Sequence, residues 1–195
     1  VKKFYRWLAE QPGHRARLVK TEFDYFGLSR KEVRIATTTH LPRAPTVEQV
    51  IAVIRAMPAT SEIERRDRAL VAFTLLTAAR DGAIASIKLK HVNFAENCMY
   101  QDGRDVDTKF GKSFPTFLMP VGDEIRDIVV EWISYLRNEK GWGDNDPLFP
   151  RTRRVQGKSA LFETAGVGRG DWAGASPIRD IFRKAFNKAG VEYFN

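Results

Sequence analysis

Two basic residues of this chain stand where a protein can hold a charge rigidly. Arg80, in "LLTAARDGAIASIKL", lies between an apolar helical run ending at Thr77 and a second run starting at Gly82. A helix–helix junction gives its guanidinium access to a surface while two apolar helices fix its backbone. A planar fork on a rigid base suits a phosphate; a plain surface arginine at a helix start would occupy the same place. The next basic feature, "TKFGKS", sets Lys109 at the end of a β-prone piece entering a hairpin, with Lys112 three residues on in the same turn. Further along, "PRTRRVQGK" gathers Arg151, Arg153 and Arg154 into a run that either tracks a nucleic-acid backbone or faces water. Lys88 and Lys90 leave the same two options open, and His91, at a helix–strand junction, reads as structural.

The composition agrees with an anionic partner without requiring one. Thirty-two Lys/Arg stand against 24 Asp/Glu in 195 residues, for a formal net charge of +8. The excess is segmental: residues 151–170 carry five basic and one acidic residue, whereas 121–150 carry three and seven. A hydrophobic share of 43% supports a real core. Cys98 is the only cysteine, which excludes an internal disulfide and a Cys-based zinc site and fits a reducing compartment. No apolar run approaches the roughly 20 residues of a membrane helix. The chain has no GxxxxGK[ST] loop, no HExxH, no GxSxG and no alternating β-α pattern.

The elements that must position these residues follow from periodicity and caps. "VKKFYRWLAEQPG" reads as a helix ending in a turn, and "ARLVKTEFDYFGLSRKEVRIA" as two short helices, the second opened by a Ser29/Glu32 capping box. "TTTHLPRAPT" has no period and two prolines and reads as a linker. Capping boxes at Thr46/Gln49 and Ser61/Glu64 open two longer helices, the second with Leu70, Phe73 and Leu76 on one face. A shorter helix carries Ala83, Ile84 and Ile87. From His91 the period changes: "HVNF", "CMYQ", "DVDTK" and "FPTFLMP" are β-prone pieces of a small antiparallel sheet, with residues 109–113 at a hairpin tip. "DEIRDIVVEWISYLRNEK" returns to a helix with Ile125, Ile128, Trp132 and Leu136 on its stripe. The Gly-rich stretch that follows reads as one long irregular loop. Ser176 as N-cap and Pro177 at the first position open a last helix, which places Phe182 and Phe186 in the core and ends at Gly190. The fold class is mainly α, of the α+β kind: a helical domain with a small antiparallel sheet, preceded by short helices.

The run "FTLLTAARDGAIASIKLKHVNF", then "TKFGKSFPTFLMP", an amphipathic helix, "DPLFP" and "SPIRDIFRKAFNKAGV" resembles, in order and spacing, the tyrosine recombinase (phage integrase) family. The resemblance implies three segments: 1–38 as the C-terminal part of a helical, SAM-like core-binding domain, 39–45 as linker, and 46–195 as a catalytic domain. It implies that Arg80 clamps the scissile phosphate and that Lys109, with Lys112 as rival, is the general acid on the leaving 5′ oxygen. The partner implied is double-stranded DNA, cut and rejoined through a 3′-phosphotyrosyl link, with self-association on DNA in the complete protein. A cytoplasmic, nucleoid-associated location is implied as well, and no cofactor. The chemistry has a physical basis: fixed cations meet the charge that a phosphodiester gains in its pentavalent transition state, and an alkoxide leaving group needs a proton.

The chain departs from the family pattern at several positions. The family requires a His-x-x-Arg pair and a tyrosine nucleophile, yet none of His14, His40 and His91 precedes an arginine by three residues. Tyr5, Tyr25, Tyr100, Tyr135 and Tyr193 all lie before the place where the nucleophile would come, so the expectation is a truncated, inactive fragment. Ala78 stands where the family has glycine before the arginine, and Ala83 where it has an acid after it. The alternatives are a non-catalytic DNA-binding module of the same fold, a helical protein-interaction domain and, more distantly, a type IB topoisomerase.

Overall fold

The structure, a computed structural model, describes residues 1–14, 17–18, 23, 27–37, 44–157 and 161–194. It parts into two compact units, Val1–Arg43 and Ala44–Asn195. Seven α-helices and five strands lie among the described residues. No helix there is long and apolar enough to cross a membrane.

In the first unit, α1 (Lys2–Leu8) sets Phe4 against Tyr5 edge-on at 5.6 Å, and Tyr5 stacks on Phe23 at 6.3 Å. Helix α2 (Arg30–Thr37) starts at the expected capping box: Ser29 N–H donates to Glu32 Oε2 at 2.7 Å and Glu32 N–H to Ser29 Oγ at 3.2 Å. Most of the helix expected before it, apart from Arg17, Leu18 and Phe23, and all of the expected linker except Ala44 and Pro45, fall outside the described residues.

The second unit is built on α4 (Glu62–Thr77), whose Leu70, Phe73 and Leu76 are buried as their spacing predicts. Both this helix and α3 (Val47–Ala56) start at the capping boxes read from sequence. Helix α6 (Asp123–Asn138) buries Ile125, Val129, Trp132 and Leu136 in the same core, and the Trp132 indole N–H donates to Leu148 O at 2.8 Å. Helix α7 (Ser176–Lys188) buries Phe186 and half-buries Phe182 beside α3. It begins one residue earlier than expected, with Ala175 as N-cap: the Ile178 and Arg179 amides already reach Ala175 O, so Ser176 is inside the helix.

Strands β1 (Val92–Asn93), β2 (Cys98–Gln101) and β3 (Phe114–Phe117) form an antiparallel sheet in that order, with Cys98 opposite Phe117 and Gln101 opposite Phe114. Two expectations fail around it. "DVDTK" is not a strand, because Val106 N–H turns back to Asp102 O at 2.7 Å and the Val106 side chain is buried. The stretch after α6 is not one irregular loop but holds a hairpin, β4 (Thr152–Gln156) with β5 (Phe162–Val167). Most of its side chains are exposed on both faces, so no apolar alternation marks it in the sequence.

Two pins tie that hairpin to α4. Arg66, only 2% exposed, donates to Pro150 O and Thr152 Oγ1, both at 3.0 Å, and pairs with Asp67 at 2.6 Å. Glu62 accepts from the Val167 amide and from Tyr135 Oη, each at 2.8 Å, and pairs with Lys140 at 2.7 Å. Burial works to raise the Glu62 carboxyl, but these three donors outweigh it and hold it below the ordinary range. Burial first, then the hydrogen bond to Glu62 and its charge, pushes the Tyr135 phenol up to about 12.

Candidate functional site

Helix α4 stops because Ala78 takes a left-handed conformation, φ 49° and ψ 28°. Thr77 ties the turn: its hydroxyl donates to Phe73 O at 2.7 Å and accepts from the Ala79 amide at 3.2 Å. The next residue, Arg80, is the extended N-cap of α5 (Asp81–Ser86), which buries Ala83, Ile84 and Ala85. The backbone of Arg80 is thus fixed between two packed helices. Its side chain is exposed and has no hydrogen bond or ion pair among the described residues. The neighbouring carboxylate does not neutralise it: Asp81 accepts from Arg179 Nε at 2.6 Å and from the Gly82 amide at 2.8 Å.

Lys109 comes to the same place from the segment joining β2 to β3. That segment docks on α5 through Asp107 N–H, which donates to Ser86 Oγ at 2.8 Å. Asp105 fastens its middle by accepting from Lys90 at 2.5 Å and Lys88 at 3.3 Å, and these lysines hold its carboxyl below the usual range. Lys109 then sits in a short 3-10 turn, residues Lys109–Gly111, rather than at a strand end. Arg80 and Lys109 line one cleft of about 210 Å³, floored by Gln101 and Thr116, whose side chains bond at 2.9 Å, and also bordered by Thr77 and Asp107. Two cations without an ion pair and one carboxylate therefore face a small polar cavity. Such a pair suits an anion in chemical type, since a guanidinium fork can grip two oxygens and an ammonium can meet a third.

The other candidate residues divide by what already holds them. Lys88 and Lys90 are both drawn to Asp105, so neither simply faces water. His91 is buried, and its Nδ1 accepts from the Lys88 amide at 3.0 Å, which leaves the proton on Nε2, 3.6 Å from Asp105. Desolvation and the nearby Lys90 charge lower its pKa, against the opposing pull of Asp105. Lys112 is exposed, its carbonyl accepting from Thr108 Oγ1 at 2.7 Å. Arg151, Arg153 and Arg154 lie on and just before β4, exposed, without an ion pair among the described residues. Sequence reasoning missed Gln101, Thr116, Asp105 and Asp107. For Gln101 the only signal was a polar residue ending a short, mostly buried strand, and Thr116 lies half-buried on the otherwise exposed β3.

The second unit is thus helical with a three-stranded sheet, and its helix junction and sheet connection meet at a basic cleft. The crystal structure of XerA recombinase matches 100% of this chain and 61% of its own length, with a TM-score of 0.52 and 16% sequence identity. This chain thus spans about three-fifths of that protein, and at that identity the likeness is one of fold. No protein-family model matches the chain, and no curated protein sequence does.

Proposed function

We propose that this chain is the catalytic-domain part of a tyrosine-type site-specific DNA recombinase, residues 46–195, preceded by the tail of a core-binding domain in residues 1–38. The observation that carries the proposal is the meeting of Arg80 and Lys109 in one cleft, each without a carboxylate partner. In this assignment Arg80 holds the non-bridging oxygens of the scissile phosphate. Lys109 gives a proton to the 5′ oxygen as the P–O5′ bond breaks and a tyrosine oxygen bonds to phosphorus. Lys112 and the arginines of β4 grip the flanking backbone, and the partner is double-stranded DNA. The protein assembles with further copies on DNA.

No described tyrosine borders the cleft, and Tyr135 is engaged with Glu62. The chain by itself is therefore expected to bind duplex DNA and not to cut it. The same observation favours a second assignment, a DNA-binding module of this fold without catalysis. Cleavage by a longer form of the protein carrying a downstream tyrosine separates the two.

The test is duplex affinity as a function of salt. Each phosphate neutralised contributes about 0.9 to the slope of log K against log salt. Arg80→Ala removes an exposed, unpaired side chain, so the fold should survive and the slope should fall by about one unit. The double variant Arg153→Ala/Arg154→Ala should lower it by about two. Duplex binding that ignores salt, or an Arg80→Ala slope equal to that of the wild type, would overturn the proposal in favour of a protein-interaction domain.

A further inference from the structure

Phe110, beside Lys109, is the most exposed large apolar side chain among the described residues, at 83%. It holds φ 66° and ψ 22°, a left-handed conformation that is a genuine outlier for a bulky residue. The segment around it is closed, not slack. The Gly103 amide donates to Ser113 Oγ at 2.9 Å, Thr108 Oγ1 to Lys112 O at 2.7 Å, and the Gly111 amide to Thr108 O at 3.1 Å. A Cβ on Gly103 would collide with the Gly111 carbonyl, so the two ends of the segment are in direct contact. The ring is thus displayed by a built loop, with the Lys109 ammonium 5.2 Å from its centroid.

Strain of this kind is retained where a side chain must point somewhere useful. An aromatic face set beside the unpaired Lys109 ammonium matches a partner that is both flat-faced and anionic, which is the chemistry of a nucleic acid. We propose that Phe110 is a DNA-contacting ring that stacks on, or wedges against, a base next to the phosphate held by Arg80 and Lys109. The inference rests on the DNA assignment above and adds to it a contact that is not electrostatic. Inserted apolar side chains partly unstack a base step, and base–aromatic stacking is tolerant of sequence. Phe110 therefore contributes affinity and local distortion at the cleft with no counterion released.

The experiment compares wild type, Phe110→Asn and Phe110→Tyr on a short mixed-sequence duplex carrying 2-aminopurine at several adenine positions. Asparagine tolerates the left-handed backbone, so melting of the Asn variant should be unchanged or higher. Its affinity should fall roughly 5- to 100-fold with the salt slope unchanged, and the brightening of 2-aminopurine on binding should be lost. Phe110→Tyr should keep both. Wild-type affinity and brightening in the Asn variant would overturn the Phe110 assignment while leaving the DNA assignment intact. So would a Tyr variant that fails as badly as the Asn one. Absence of duplex binding by the wild type would overturn the DNA assignment itself, and this one with it.

Discussion

Replacing Ala78 by glycine should stabilise the protein. Ala78 closes α4 at φ 49° and ψ 28°, where a Cβ meets the following carbonyl at a cost of roughly 1–2 kcal/mol. Glycine removes that cost but gains more freedom in the unfolded chain, worth about 0.4–1 kcal/mol in the opposite direction. The methyl is exposed, so its loss leaves no cavity and no buried apolar area is given up. The net expectation is about 0.5–1 kcal/mol of added stability, or roughly 1–4 °C in melting temperature for a domain of this size. Urea titration should show a higher midpoint with an unchanged slope. Ala79→Gly is the control: Ala79 is buried with an ordinary negative φ, and its replacement should destabilise by roughly 0.5–1 kcal/mol. A destabilised Ala78→Gly, or equal effects at the two sites, would refute the claim that backbone strain at this junction sets the difference.

Two further outcomes follow from the buried polar groups. Glu62→Gln keeps the shape but turns one acceptor into an N–H facing Val167 N–H, Tyr135 or Lys140, and should cost about 1–3 kcal/mol. Hydrogen exchange should quicken at the Val167 amide before it does in α4; uniform loss of protection would mean that Glu62 does not specifically pin the hairpin. His91 gives a pH dependence of definite sign. Its folded pKa is held below the ordinary histidine value of about 6.5 by burial and the Lys90 charge, so on acidification the unfolded chain takes up the proton first. The stability carried by neutral His91 is whole above about pH 6.5 and declines as pH falls from there towards its folded pKa. His91→Gln should flatten stability across that window while leaving the losses expected below about pH 4.5 from carboxylates such as Glu62. An undiminished decline in the variant would assign the effect to another group.

What the sequence made legible is what local rules govern. Ser29/Glu32, Thr46/Gln49 and Ser61/Glu64 are each three residues apart and meet within one helical turn, so their caps could be read and were found. The stripe of α6 was legible for the same reason. Arg66 was not: on "ERRDRALV" it looks like any solvated arginine, and only the return of Pro150, Thr152 and Trp172 to that face of α4 makes its burial intelligible. The hairpin β4–β5 was missed with it, because its strands are secured at their base by Arg66 and Glu62 rather than by an apolar face of their own.

At the cleft the same division decides which cations are available. Counting charge treats Lys88, Lys90, Lys109 and Lys112 alike, since all four stand within one basic stretch around a sheet. Folding separates them through a single residue. Asp105 reaches back to both Lys88 and Lys90, and that contact closes the segment so that Lys109 and Lys112 remain without an acid partner. The pairing does two things at once: it engages two positive charges and fixes the loop that presents Lys109 beside Arg80. Periodicity cannot reveal it, because Asp105 sits in a piece whose residues look β-prone and whose turn at Val106 is set by burial. The partition of the basic residues is therefore a property of the folded connection between β2 and β3, and the positive charge this unit leaves unpaired at the cleft is smaller and better placed than its composition implies.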